Sequence, residues 1–225
     1  MDAARAALGE STVHSYGPDA GLPELREALA NELEARGVDK SANEVMVTSG
    51  ANQAFMNIVL TLMGDGDRAI LFAPFYFNHA MAVQMAVGAD NLVVGPSSLS
   101  DLLPDLSWLE ETLEADPSIK MVTLTNPGNP TGVTLPPAML EAASEICART
   151  NTWLVVDNTY HHFCGGWYNG PSHTCITGDH ILNVFSFSKA YGMMGWRVGY
   201  ISAPSHVFPQ VRCGVCHTLH TTHYT

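Results

Sequence analysis

Lys120-Met121-Val122-Thr123-Leu124-Thr125 runs into the loop Asn126-Pro127-Gly128-Asn129-Pro130-Thr131-Gly132, a helical segment over 136–149, and then Trp153-Leu154-Val155-Val156-Asp157. Two short apolar runs flank a helix here. Apolar runs without alternation belong to strands buried on both faces, as in a parallel sheet covered by helices. The same pattern continues on either side. Toward the N-terminus, Leu25, Leu29 and Leu33 lie four apart in a helix expected over 22–36, which Gly37 stops. A strand over 44–48 follows, and Ser49-Gly50-Ala51-Asn52 turns into an apolar helix ending near Met63. Gly64-Asp65-Gly66-Asp67 is a turn. Strands are expected over 68–73 and 91–94, with helices over 77–87 and 108–115. Beyond Asp157, strands are expected over 181–185 and 198–202. Strands alternating with helices predict an α/β fold, a three-layer α/β/α sandwich around a mostly parallel sheet.

The 225 residues supply ample material for a core, 46% of them hydrophobic. Ten basic against 22 acidic residues give a net charge of −12, with no cluster of Lys and Arg. That balance argues against nucleic acid or an anionic membrane as partner. No apolar run reaches membrane-spanning length, and Met1-Asp2 does not open a signal peptide. Five irregularly spaced cysteines favour reduced thiols and a cytoplasmic location over a disulfide framework.

In a parallel sheet the ligand sits beyond the carboxyl ends of the strands. The polar residues that stand out fall there: Gly50 to Asn52, Tyr76, Asn129, Asp157 and Ser186 to Lys189. Lys189 lies in Ser186-Phe187-Ser188-Lys189-Ala190-Tyr191-Gly192, with Arg197 eight positions on. Hydroxyls and a guanidinium around an amine suit a phosphate beside a Schiff-base lysine, which implies pyridoxal phosphate. Asp157 could keep a pyridine nitrogen protonated, or serve only as a turn or capping aspartate. Tyr160 and Asn129 could each reach the cofactor's phenolate oxygen. Alone, the first also reads as a half-buried tyrosine and the second as part of a turn. Backbone amides of Gly50, Ala51 and Asn52 at a helix start favour phosphate. Tyr76 could lie on the ring or simply pack in the core. Once a substrate amine displaces it, Lys189 would become the base that moves the Cα proton.

Together these motifs resemble the class I and II aminotransferases, the fold type I pyridoxal phosphate enzymes. The matched pieces are Tyr16…Gly21-Leu22, Ser49-Gly50-Ala51-Asn52-Gln53-Ala54, Asn126 to Gly132, Asp157…Tyr160 and Ser186 to Arg197. The resemblance implies Lys189 as Schiff-base lysine and Asp157 as partner of the pyridine nitrogen, with Asn129 and Tyr160 at the phenolate oxygen. It further implies Ser186, Ser188, Arg197 and the Gly50-Ala51-Asn52 turn at the phosphate, and Tyr76 stacked on the ring. Tyr16 matches the tyrosine that reaches the phosphate of the neighbouring subunit, which implies a homodimer. Ser15-Tyr16-Gly17-Pro18-Asp19, Val156-Asp157-Asn158-Thr159-Tyr160 and the segment from Lys189 to Gly199 look more closely like the plant-type aromatic subgroup. That likeness implies transfer of an amino group between methionine or an aromatic amino acid and a 2-oxo acid. A pyridoxal phosphate lyase of the same fold, or a cofactor-binding fragment without turnover, would share most of these residues.

Measured against that family, residues 1–14 are expected to be a remnant of an N-terminal segment. Residues 15–212 form the cofactor-binding large domain and 213–225 an atypical tail. On that resemblance the C-terminal small domain is expected to be absent, together with the arginine that clamps the substrate carboxylate, so the chain should hold the cofactor yet transaminate poorly. The tail carries Cys213-Gly214-Val215-Cys216-His217, His220 and His223. Its Cys-x-x-Cys-His spacing suits haem or zinc, but no export signal and no second ligand pair accompany it. No metal site is expected, and His161-His162 with Cys164 read as packing and surface.

Overall fold

Seven strands join in one sheet, in the order β1-β7-β6-β5-β4-β2-β3. They are β1 (Asn43–Thr48), β2 (Arg68–Phe72), β3 (Leu92–Gly95), β4 (Ile119–Thr125), β5 (Trp153–Asp157), β6 (Ile181–Ser186) and β7 (Gly199–Pro204). The structure, a computed structural model, describes residues 2–165 and 172–213. The tail residues Cys216, His217, His220 and His223 lie outside the described residues. The strands from β3 to β6 pair in parallel, whereas β7 runs antiparallel to both β6 and β1. The sheet is therefore mostly parallel, as the apolar runs predict.

Helices cover both faces. Met121, Val155 and Ala69 turn to one side, against Phe55, Ile58 and Val59 of α3 (Gly50–Leu62), Val83 of α4 (Phe77–Val87) and Val211 of α7 (Phe208–Arg212). Their sequence neighbours Val122, Leu154 and Ile70 turn to the other, against Leu109 of α5 (Leu106–Ala115) and Leu140 of α6 (Pro137–Arg149). The two-residue period of a strand splits each apolar run between two cores. Each Val, Leu, Ile, Phe or Met side chain among them contributes about 1.5–3 kcal/mol on burial. Leu29 and Leu33 of α2 (Pro23–Glu34) pack on Val45, Phe185 and Tyr200 in a third cluster.

Most differences from the sequence expectation are at boundaries. Helix α2 ends at Glu34, and a tighter turn carries the chain to Gly37 at φ +94°. Helix α5 starts two residues early because the Asp105 carboxylate accepts the Trp108 amide at 3.0 Å. Short α1 (Asp2–Ala7) and α7 were not anticipated. Each has at most six residues, too few to display a period.

A buried polar network ties the chain after β5 to β6. The Asn158 amide donates to Val156 O and to Asn183 Oδ1, and Asn183 donates to Ile176 O. His173 Nε2 donates to Asn158 Oδ1 at 2.7 Å, and His161 Nδ1 donates to Asn158 O at 2.7 Å. Burial, followed by the neighbouring His162, pushes His161 down to about 3, and burial with Arg36 pushes His173 down to about 4. Both rings fold uncharged, so the unfolded chain binds protons below about pH 6.5 that the folded chain refuses. Stability should then be full above pH 7 and fall through the window from 6.5 to about 4, by on the order of 1 kcal/mol per group per pH unit. Urea unfolding at pH 7.5 and 5.0 checks this; equal midpoints would contradict it.

Candidate active site

Parallel strands put their carboxyl ends on one edge of the sheet, and β1, β2, β4, β5 and β6 all end there. Because β7 runs the other way, its beginning lies at that edge too. The register aligns Thr125 with Asp157, Asp157 with Val184, and both Ser186 and Thr48 with Gly199. Residues far apart in sequence thus meet at a cavity of about 150 Å³. Ala51, Asn52, Tyr76, Asn129, Asp157, Tyr160, Ser186, Ser188, Lys189 and Arg197 line it, joined by His79, Thr159 and Met194. Of the residues singled out from sequence, Gly50 and Tyr16 are not in the lining.

Gly50 sits just beneath it. Its φ is +80°, and a Cβ there would collide with the Arg197 guanidinium. Glycine lets the start of α3 approach that cation closely, with Ala51 and Asn52 presenting the first turn to the cavity. Arg197 is itself left-handed at φ +55° and donates to Met194 O at 2.8 Å. Ser186 and Ser188 are buried, and the Ser186 hydroxyl accepts the Ser188 amide at 3.1 Å. Lys189 is exposed, with Nζ 5.6 Å from the centre of the Tyr160 ring. The Asn129 amide donates to the Tyr160 hydroxyl at 3.4 Å, so the two groups converge on one spot. Tyr16 is fully exposed. Arg212 does not line the cavity; it pairs with Asp19 at the surface at 3.3 Å.

Asp157 is 5% exposed. One carboxylate oxygen accepts the Thr159 amide at 3.0 Å and its hydroxyl at 2.7 Å, and the other lies 3.0 Å from His79 Nε2. Burial pushes this carboxyl up. The hydrogen bond and charge of His79, with the Thr159 bonds, outweigh it and hold the group below the usual carboxylate range. His79 is buried in turn on α4, its ring 4.1 Å from that of Phe55 and edge-on to Tyr76 at 5.4 Å. Sequence reasoning missed His79. The available signal was its position three residues after Tyr76, close enough to share a helix face.

The inventory is therefore an ionised buried carboxylate, two hydroxyls, a guanidinium and a helix start for an anion, a convergent amide and phenol, and an amine. That set could hold pyridoxal phosphate, with Asp157 available to its ring nitrogen, Asn129 and Tyr160 to its phenolate oxygen, and the hydroxyls, guanidinium and helix start to its phosphate.

A family model described as aminotransferase class I and II matches residues 1–223. An aromatic aminotransferase of Arabidopsis thaliana is 50% identical over 90% of this chain and 50% of its own length. The solved structure of Thermus thermophilus aspartate aminotransferase with maleate superposes with a TM-score of 0.85 at 29% identity, covering 97% of this chain and 56% of that one. The Escherichia coli protein YbdL, whose structure was reported with a methionine aminotransferase function, gives a TM-score of 0.79 at 26% identity over 91% of this chain and 54% of that one. The chain spans about half the length of the relatives it matches.

Replacing His79 by Phe would keep the stack on Phe55 and remove the partner of Asp157. A buried charge stripped of its partner costs roughly 3–5 kcal/mol. Urea unfolding at neutral pH should show a loss of that order. The loss should shrink when Asp157→Asn is added, because no charge then remains to be stranded. An undiminished loss in the double variant would mean that His79 acts by packing alone.

Proposed function

This chain belongs to the class I and II aminotransferases, a family that uses pyridoxal phosphate, and on that footing we propose that it binds the cofactor in the cavity at the strand ends and moves an amino group between an amino acid and a 2-oxo acid. The observation that carries the reading is the convergence of Asp157, Asn129, Tyr160, Ser186, Ser188, Lys189 and Arg197 on one cavity. Bound there, pyridoxal phosphate supplies an electron-withdrawing ring that stabilises the charge left when an amino acid loses its Cα proton.

The chain's own residues do the rest. Asp157, ionised and held by His79 and Thr159, keeps the ring nitrogen protonated. Asn129 and Tyr160 would orient the ring through its phenolate oxygen, and Tyr76 would be available to its face. Ser186, Ser188, Arg197 and the first turn of α3 fix the phosphate. Lys189 would hold the cofactor covalently before substrate arrives and would then serve as the base at the Cα proton.

Methionine or an aromatic amino acid is the proposed donor. An open depression of about 500 Å³ adjoins the cavity and shares Asn129, Tyr160, Lys189 and Met194 with it. Pro127, Pro130 and Phe163 make its wall largely apolar, which suits an uncharged side chain. The names of the Arabidopsis and Escherichia coli relatives point the same way. Among the described residues Arg197 is the only arginine lining the cavity, and a bound phosphate would engage it. With that inventory, cofactor binding should outrun turnover.

Two further readings accompany this one. The four described cysteines are free thiols, which suits the cytoplasm, and no helix among the described residues is long and apolar enough to cross a membrane. Tyr16 stands clear of its own chain, and Phe77, Met81 and Met85 form an exposed apolar stripe four residues apart on α4. Both suit a homodimer in which Tyr16 reaches the partner's phosphate.

Adding pyridoxal phosphate to the chain should produce a protein-bound absorbance band that Lys189→Ala abolishes. Methionine with an aromatic 2-oxo acid should then yield the exchanged keto acid slowly. No band in the unaltered chain rejects the cofactor assignment, and elimination products in place of the keto acid assign a lyase. For the dimer, Tyr16→Ala and Lys189→Ala chains should each hold the cofactor poorly. Refolded together they should recover the band, because hybrid dimers carry one site with both groups intact. No recovery would place Tyr16 outside the partner's site.

A further inference from the structure

On the far side of the turn after β5 lies a second set of side chains that the cofactor reading does not use. Glu32 on α2 and the adjacent His161 and His162 each present one ligand atom, and the three atoms lie within 4.8 Å of one another. We propose that Glu32, His161 and His162 bind a divalent transition ion of the zinc type. The inference does not rest on the aminotransferase assignment.

The buried histidine carries the argument. His161 is 3% exposed, and its Nδ1 donates to the Asn158 carbonyl at 2.7 Å. The proton therefore sits on Nδ1, leaving the lone pair on Nε2. That nitrogen has no hydrogen-bond partner among the described residues. A buried acceptor without a donor is costly, and native structures satisfy such groups. An Nδ1–H bond to a backbone carbonyl with a free Nε2 is also the arrangement that orients a metal-ligating histidine. The His162 ring lies 3.9 Å from that of His161, and its Nε2 is 3.7 Å from Glu32 Oε1.

Two imidazoles and a carboxylate select zinc, cobalt or nickel over calcium and magnesium, which prefer oxygen alone. Three protein ligands leave the fourth tetrahedral position to water. Ligand atoms around such an ion are about 3.3–3.5 Å apart, so the set must close by about 1–1.5 Å. Glu32 and His162 are the less buried members and can supply that movement. Cys164, the neighbour that sequence alone groups with the histidine pair, is not in the cluster; its sulfur lies 3.6 Å from the Thr134 hydroxyl.

Arg36 is the competitor. Its Nη2 is 3.2 Å from Glu32 Oε1 and 3.4 Å from His162 Nδ1. The guanidinium thus holds the carboxylate that an ion would take over. An ion there would fasten α2 to the residue that directly follows Tyr160, on the rim of the proposed cofactor cavity.

The test is Co2+ titration of the full, untagged chain, followed by visible absorbance and by competition with Zn2+. One ion should bind, Glu32→Gln and His162→Ala should each weaken it by about 10–100-fold, and Arg36→Gln should tighten it several-fold. All three substitutions fall on side chains outside the core, so folding is retained and circular dichroism verifies it. Cys213, Cys216 and His217 offer other metal-binding groups, so the titration is repeated with Cys213→Ser, Cys216→Ser and His217→Ala together. There the dependence on Glu32 and His162 should persist. No uptake by the unaltered chain, affinity indifferent to Glu32 and His162, or an ion lost with the tail substitutions alone would each overturn the site.

Discussion

A carboxylate that is 5% exposed must be compensated, and the compensation of Asp157 organises the centre of this molecule. Its partners come from two places. Thr159 is supplied by the chain's own turn two residues on, and His79 arrives from α4. For His79 to reach Asp157, α4 must lie across the end of β5. The ring contact between His79 and Phe55 then fixes α4 against α3. The helix that offers its first turn to an anion and the helix that holds the carboxylate are in this way a single packed unit. Ionisation at one end of the cavity and anion affinity at the other share the same scaffold.

Much of this was legible from sequence because parallel strands advertise themselves. A strand buried on both faces has no polar side, so Trp153 to Val156 is a continuous apolar block and the run from Met121 to Leu124 is broken only by Thr123. The first polar residues after such blocks mark the sheet's active edge, and Asn129, Asp157 and Ser186 were found that way. The antiparallel entry of β7 was not legible, since periodicity carries no direction. It matters, because only that reversal brings Arg197 to the same edge as Ser186. His79 was hidden for another reason. One polar residue in an apolar helix has many uses, and its partner is 78 positions away. Glycine at position 50 was read as a phosphate turn; the structure adds that its missing side chain makes room for Arg197.

The segment from Asp157 to Phe163 serves two environments at once. Asp157, Thr159 and Tyr160 turn toward the cavity. Asn158 and His161 turn back into the network joining β5, β6 and the segment around His173. Asp157 is the last residue of β5; Thr159 and Tyr160 lie in the turn that follows and both face the cavity, and the three-residue helical turn at His161–Phe163 returns the chain to the network. A network that satisfies the Asn158 amide with Val156 O and Asn183 Oδ1 also fixes the backbone on either side of it. The cavity side chains gain a rigid base without lending any polar atom to it.

Charge completes the picture. A net charge of −12 repels anions at long range, yet the cavity gathers Lys189, Arg197 and the start of α3, with Asp157 as its buried acid. Screening settles which field an incoming ligand meets. At physiological ionic strength the exposed acidic groups fade beyond about 8 Å, whereas groups in direct contact with the ligand are hardly screened. At the cavity the local cations and helix amides therefore outweigh the acidic exterior. Within the cavity the signs are segregated: Arg197 beside Gly50 at the α3 end, Asp157 beside His79 at the β5 end. A ligand anionic at one end and cationic at the other would be aligned by that separation, because Asp157 closes β5 and Arg197 precedes β7, two strands with β6 between them.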